Sequence, residues 1–316
     1  MAVNLTQWTV DHTHDYTYTT MTDFYVGGIW TGDWTSVMSD PREFVFSPST
    51  PLYDFRLSIG TAVIYLGVIA VLHWMMKGRP AMSLPWISNV HNLILSVWSL
   101  VMHVGILYGV WEKYISQGRP LMDLLCDKDP EPMTGTLAYF CWMYYVSKYY
   151  ELFDTVLMVV KHKPLTVLHL WHHAVIGPMS LSWLRGNWML HWYGAAVNTL
   201  IHVFMYFYYF AVKAYGYRPW WRVHITQGQI AQFFSVFFLI WVFVYKYIQS
   251  PPVFGPVPDG AFLPTVHFDK GCTGDFWTIA FAQFVNITFL VLFINFYIQT
   301  YKKAKAKSKS SKSKSQ

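Results

Sequence analysis

The sequence predicts an all-α integral membrane protein with seven transmembrane helices. Three observations carry that reading. The 316-residue chain is 54% hydrophobic and 19% aromatic but only 13% charged, whereas a soluble domain carries about 25% charged residues. Its apolar residues come in long blocks rather than short alternations, and a block of about 18 or more residues is a candidate for crossing a bilayer. The basic excess is also confined to one place. The net charge is +6, yet residues 302–316 alone hold seven lysines and no acid. That distribution does not indicate a nucleic-acid-binding face. The tail reads as a solvated segment beside an anionic leaflet.

The elements follow in chain order. Residues 1–55 are polar and aromatic, with Asp11, Asp15, Asp23 and Asp33. They lack the basic start and apolar core of a signal peptide and read as an N-terminal lumenal segment. A membrane domain covers 56–300. Its first span, about 57–76, is an apolar block, and the second, about 87–110, follows the break between Pro80 and Pro85. The third lies at about 135–160. The fourth, about 165–184, starts after Pro164, and the fifth lies at about 189–212. These three are the least apolar and carry most of the buried polar residues. The sixth and seventh lie at about 225–248 and 276–299, and residues 301–316 form a lysine-rich cytosolic tail.

A lumenal N-terminus and a cytosolic C-terminus give the best match to the concentration of basic residues in cytosolic loops. The short cytosolic segments then carry Lys77, Arg79, Lys161, Lys163, Lys213, Arg218 and Arg222. Asn4-Leu5-Thr6 is a glycosylation sequon at the lumenal end, with Asn4 as acceptor. Lys312 and Lys314 resemble a dilysine signal that returns membrane proteins to the endoplasmic reticulum, although a merely solvated tail has the same composition. Cys126 and Cys272 fall in two loops on the oxidising side, where a disulfide between them is expected, the alternative being two free thiols. Cys141, inside the third span, reads as a small apolar residue.

Four polar clusters interrupt the apolar spans. An ionisable side chain at mid-membrane costs about 2.5–3.5 kcal/mol on insertion scales, so such residues face a bundle interior or a wet cavity. Lys148, Glu151, Asp154 and Thr155 follow steps of three, six and seven, which place them on one stripe of an unbroken helix. A self-neutralising salt bridge accounts for one pair of them, not for all four. His169, His172 and His173 gather three imidazoles at i, i+3 and i+4, a pattern open to metal ligation and to acid/base or nucleophilic work. Asn198, His202, Tyr206 and Tyr209 share a face of the fifth span, with Met205 and Tyr208 among them. Thr226, Gln229 and Gln232 step by three in the sixth span, as part of a polar site or as interhelical hydrogen-bond glue. The proposed topology places all four clusters in the cytosolic half of the membrane, where one polar chamber would satisfy them. Lys161, Lys163, Lys213, Arg218 and Arg222 would surround its mouth and attract an anionic ligand.

These four strings, in this order, resemble the ELO/ELOVL family of very-long-chain fatty acid elongases. The family's KxxExxDT pattern matches Lys148, Glu151, Asp154 and Thr155, and its HxxHH pattern matches His169, His172 and His173. NxxxHxxMYxYY matches Asn198, His202, Met205, Tyr206, Tyr208 and Tyr209, and TxxQxxQ matches Thr226, Gln229 and Gln232. The resemblance covers about residues 56–300. It implies that the last six helices form a barrel of two three-helix units around an acyl tunnel, with the first helix outside. It further implies a condensing reaction. A long-chain acyl-CoA and malonyl-CoA give a 3-oxoacyl-CoA two carbons longer, CO2 and CoA, without a cofactor or metal. By similarity His172 is the nucleophile that forms an acyl-imidazole, His202 assists across the chamber, and His169 and His173 orient the site or hold protons. Lys148, Glu151, Asp154, Thr155, Asn198, Tyr206, Tyr209, Gln229 and Gln232 build the substrate-binding shell, and the loop cations receive the CoA phosphates. Expected partners are the bilayer, the reductases and dehydratase of the elongation cycle, and a second copy of the chain.

Two other readings use the same residues differently. A membrane di-iron desaturase or hydroxylase also carries HxxHH, but needs several such boxes where this chain has one. A seven-helix transporter would use the buried charges as a proton relay, and its charged pathway should reach both membrane faces.

Overall fold

A computed structural model describes residues 32, 34–37, 40–128, 133–216, 219–257 and 263–302. Asn4, Arg218 and the tail lysines beyond Lys302 lie outside the described residues.

The described chain is mostly helical. Helix α1 spans Phe55–Met76, and the Asp54 side chain caps it by accepting from the Arg56 N–H. A turn through Gly78, whose φ of 74° suits a residue without a Cβ, leads to α2 at Pro85–Val110. Pro85 occupies the first turn of α2, where its missing N–H costs nothing. The helix runs on into a wider turn, Trp111–Ile115. The third helical stretch is divided into α3, Gly135–Glu151, and α4, Phe153–Val160, with a turn at Leu152 between them. Then come α5, Val167–Arg185, α6, His191–Tyr215, α7, Arg222–Tyr247, and α8, Phe276–Tyr297. Strands β1, Val253–Phe254, and β2, Val266–His267, form a short antiparallel pair between α7 and α8.

Five of these helices are long and apolar enough to cross a membrane: Phe55–Met76, Pro85–Ile115, His191–Tyr215, Arg222–Tyr247 and Phe276–Tyr301. The stretch α3–α4 and helix α5, the expected third and fourth spans, do not meet that standard. The third stretch is divided into pieces of 17 and 8 residues, each too short by itself, and in α5 the three histidines and Arg185 lower the hydropathy of an otherwise apolar helix.

Packing runs in a closed order. Helix α2 packs on α3, α3 on α5, α5 on α8, α8 on α7, α7 on α6, and α6 back on α2. Helix α1 lies outside this cycle, against α4 and α5. The α2–α3 contact is close because it uses glycines. A Cβ on Gly109 would come within 2.6 Å of the Leu137 backbone nitrogen, and one on Gly105 within 2.4 Å of the Phe140 ring. This is the small-xxx-small geometry of helices that meet in lipid. Residues just before α1 also belong to the packed body. Phe44, Phe46 and Leu52 are buried, the Trp142 indole N–H donates to the Pro51 carbonyl, and the Tyr145 hydroxyl donates to that of Leu52. At the end of the cycle formed by the start of α3, a disulfide joins Cys126 to Cys272. Cys141 is free and buried.

Candidate active site

The site lies toward the end of the cycle marked by the 161–166 loop. Thr166 caps α5 by accepting the His169 N–H, which starts the helix three residues ahead of the histidine cluster. From that start, His169, His172 and His173 occupy the first two turns. The rings of His169 and His173 are 4.4 Å apart between centroids, and those of His172 and His173 are 5.2 Å apart. His202 of α6 faces His172 at 6.4 Å. His172 lines a cavity, whereas His173 is buried among side chains and its Nδ1 has no partner among the described residues. His169 is tied at Nε2 to the Thr155 hydroxyl at 2.8 Å.

A single turn residue, Leu152, separates α3 from α4 and keeps right-handed helical dihedrals. Glu151 and Asp154 both face α6, while the four polar residues of the stripe also meet other helices. Lys148 and Glu151 point to α6. Lys148 Nζ donates to Glu151 Oε1 at 2.8 Å and to Asn198 Oδ1 at 3.4 Å, and it lies over the Tyr144 ring at 4.0 Å. The Ser147 hydroxyl donates to the same Glu151 oxygen at 3.1 Å, and His202 Nδ1 is 3.7 Å from it. Asp154 and Thr155 lie in the first turn of α4. Tyr206 donates to Asp154 Oδ2 at 2.7 Å, and His91 Nε2 meets Asp154 Oδ1 at 2.8 Å.

A cavity beside His172 lies between α3, α5, α6, α7 and α8. Polar groups occupy one end, with His172, Asn198 and Gln232, and the remainder is walled by apolar and aromatic side chains such as Ile176, Met179, Trp183, Ile240 and Phe289. Asn198 Oδ1 already accepts from Tyr144 at 3.0 Å as well as from Lys148, so only its NH2 donors remain for a ligand. The Gln232 Oε1 is buried without a partner among the described residues. Residues Ile176, Met179 and Trp183 follow His172 at steps of four, seven and eleven along α5. At about 1.5 Å per residue, the apolar wall extends about 16 Å from the imidazole.

Other candidates stand apart from this group. Thr226 pairs with the Tyr301 hydroxyl at 3.4 Å, and Gln229 donates to Met205 Sδ at 3.6 Å. Both therefore join helices rather than line the cavity. Tyr209 is 46% exposed, and its ring packs against that of Tyr208. Lys161 is bonded to the Ser88 hydroxyl, while Lys163, Lys213 and Arg222 are exposed. Burial holds the Lys161 ammonium below the ordinary lysine range, and the like charges of Lys213 and Lys163 push it the same way. The three lysines thus form one electropositive group at the 161–166 loop. Among the described residues, no three His, Cys, Asp or Glu side chains converge as metal ligands would.

Two side chains at this site carry no motif. His91 of α2 and Tyr65 of α1 reach Asp154 and Thr155 respectively, across 63 and 90 residues of chain. Tyr65 is a lone polar group in an apolar block, and His91 stands among Ser88, Asn89 and Asn92 with no motif spacing. The only sequence signal either offered was that a polar residue in such a block needs a partner.

The comparisons with known proteins agree with this arrangement. The family model described as ELO, the GNS1/SUR4 family, matches residues 50–309. "Fatty acid elongase sre1" of Dictyostelium discoideum is 30% identical over 254 residues, covering 80% of this chain and 86% of that protein. A putative fatty acid elongase of the same organism is 34% identical over 269 residues, covering 84% and 83%. "Very long chain fatty acid elongase 5" of Mus musculus is 31% identical over 252 residues, covering 77% and 73%. Four polar motifs on a multi-pass membrane scaffold, a family match across most of the chain, and relatives of this length and identity lead to one conclusion: the chain belongs to the GNS1/SUR4 (ELO) family of fatty acid elongases.

Proposed function

We propose that the protein catalyses the condensing step of fatty acid elongation. It would join a long-chain acyl-CoA to malonyl-CoA and release a 3-oxoacyl-CoA two carbons longer, CO2 and CoA. The observation that carries the proposal is the position of His172, at the polar end of a cavity whose remaining wall suits an acyl chain. A neutral His172 nitrogen attacks the thioester carbonyl, the CoA thiolate leaves and takes a proton, and an acyl-imidazole remains. Malonyl-CoA then loses CO2, and the resulting enolate carbon attacks the acyl carbonyl and returns His172. Written in full, the reaction consumes the malonyl carboxylate and one proton for each CO2 and CoA thiol released.

The supporting groups have definable tasks in this scheme. The Asn198 NH2 and the Gln232 amide offer uncharged contacts to the thioester or enolate oxygen. His202 lies opposite His172 and beside Glu151, which suits it to hand a proton to the leaving thiolate. His169 and His173 would hold the His172 side of the chamber, and the polar shell would include Lys148, Glu151, Asp154, Thr155 and Tyr206. Lys161, Lys163, Lys213 and Arg222 would draw in the CoA phosphates. No cofactor takes part in this scheme.

The same proposal includes seven spans, with α3–α4 and α5 crossing as part of a six-helix barrel and α1 outside it. It places the N-terminus in the lumen of the endoplasmic reticulum and the C-terminus in the cytosol. The product needs reduction, dehydration and a second reduction, so those enzymes are expected in the same membrane, and a homodimer is the expected assembly. The test is incorporation of labelled malonyl-CoA by the purified protein across a panel of acyl-CoAs. His172→Ala is expected to abolish both the acyl adduct seen by intact-protein mass spectrometry and the condensation product. An acyl adduct retained on that variant would refute the assignment.

A further inference from the structure

The first turn of α4 is held from four sides. Asp154 receives hydrogen bonds from α2 and α6, through His91 and Tyr206. Thr155 is bonded to α1 and α5, through Tyr65 at 2.9 Å and His169 at 2.8 Å. Two of these four partners, Tyr206 and His169, belong to the recognised motifs. The other two, Tyr65 and His91, do not, and both are buried, at 5% and 2% exposure.

The protons in both chains have a definite direction. Tyr65 has no hydrogen-bond partner among the described residues other than Thr155, and a buried hydroxyl proton left unpaired is costly. Tyr65 therefore donates to Thr155, whose single proton then goes to His169. His169 Nε2 is the acceptor, and the ring proton of neutral His169 lies on Nδ1. The second chain follows the same logic. His91 Nδ1 is buried without a partner among the described residues, so the ring proton is placed on Nε2, where it donates to Asp154. Tyr206 donates to the other oxygen of the same carboxylate.

We propose that Tyr65 and His91 are positioning residues for the condensing reaction. Tyr65 sets the tautomer of His169 through Thr155. His91 fixes the Asp154 carboxylate that orients Tyr206, whose ring packs on His202 at 5.4 Å. Helix α1, outside the packed cycle, thereby contributes to the site by one hydroxyl. This inference rests on the elongase reading and deepens it.

The test compares Tyr65→Phe, His91→Phe and His91→Gln in the purified full-length protein. Tyr65→Phe keeps the ring and removes the hydroxyl, and His91→Phe keeps an aromatic ring, somewhat larger than imidazole, that cannot donate a hydrogen bond. Each is expected to lower kcat for condensation about tenfold or more, with KM for acyl-CoA and malonyl-CoA within about threefold of wild type. His91→Gln retains an N–H donor and is expected to recover kcat to within about threefold. His91→Phe combined with Tyr206→Phe should lose no more than the worse single variant, because both act through Asp154. Unchanged kcat in both Phe variants would overturn the inference, as would a loss confined to KM or a His91→Gln variant as impaired as His91→Phe. If His91→Phe fails to yield monodisperse protein, His91→Leu takes its place as the variant without a donor, and Tyr65→Phe is read independently. A wild-type protein that turns over no malonyl-CoA would remove the elongase reading itself, which is a different result from an active wild type with unimpaired variants.

Discussion

Lys148 and Glu151 are 2% and 1% exposed, and they form one of the costliest pairs a membrane helix can carry. Desolvation of two ions can exceed their mutual attraction, so such a pair is weak evidence for stability. The geometry explains its retention through function, since Glu151 touches His202 and Lys148 touches Asn198. A clear expectation follows for thermal unfolding in detergent. Lys148→Met leaves Glu151 buried and uncompensated and should cost about 3–5 kcal/mol. Lys148→Met with Glu151→Leu should recover most of that stability and still lack condensing activity. A double variant no more stable than the single would show that the charge is not the cause. Residues of this kind were legible from sequence because several polar groups recur at helical spacing. His91 and Tyr65 were not, because neither belongs to a recurring polar spacing and each acquires meaning only from a partner far away in the chain.

At the scale of elements, helix positions were legible to within a few residues, since apolar blocks and the Pro80–Pro85 and Pro164 breaks mark them. The division of the third stretch at Leu152 was not. Nothing in Glu151-Leu152-Phe153 breaks a helix by propensity, and Leu152 itself keeps right-handed helical dihedrals. Helix α5 carries both the reactive imidazole and the cavity wall beyond it, so side chains spaced along one face should set the length of chain accommodated. Trp183→Ala is expected to lengthen the cavity and shift products toward longer acyl chains. Ile176→Trp should block it close to His172 and shift products toward shorter ones. Gas chromatography of the products from a mixed acyl-CoA pool reads both, and an unchanged distribution in both variants would exclude this wall as the determinant. The α2–α3 contact gives a second expectation at this scale. A Cβ at Gly109 meets Leu137 backbone at 2.6–2.7 Å, so the helices must separate. Gly109→Ala should lower the melting temperature more than Gly67→Ala, since a Cβ at Gly67 meets nothing within 4 Å.

The whole molecule divides its tasks between two ends. One end holds the histidines and the lysine group of the 161–166 loop. The other is tied by Cys126–Cys272, which links the loop after α2 to the loop before α8 across 146 residues. The same end is knitted by Arg119, which donates to Asp127 at 2.8 Å and Asp123 at 3.1 Å, and by the Thr273 N–H on the Asp127 carbonyl at 2.7 Å. The pairing of these cysteines could be anticipated because a seven-span reading of the sequence puts both loops on the same side of the membrane. The closed order of helices could not be read from hydropathy, because apolar blocks do not say which neighbours they choose. The separation of the two ends yields a distinction between stability and catalysis. For a free chain, closing a loop of this length would contribute up to about 5 kcal/mol, and less here because the membrane already restricts the unfolded protein. Cys126→Ser with Cys272→Ser is therefore expected to lower the melting temperature clearly. It should leave kcat and KM at room temperature within about twofold of wild type, because neither cysteine nor its hydrogen-bonded neighbours lines the cavity beside His172. Loss of turnover in a variant that remains folded would mean that the two ends are mechanically coupled, and that the tied loops act on the reaction and not only on the fold.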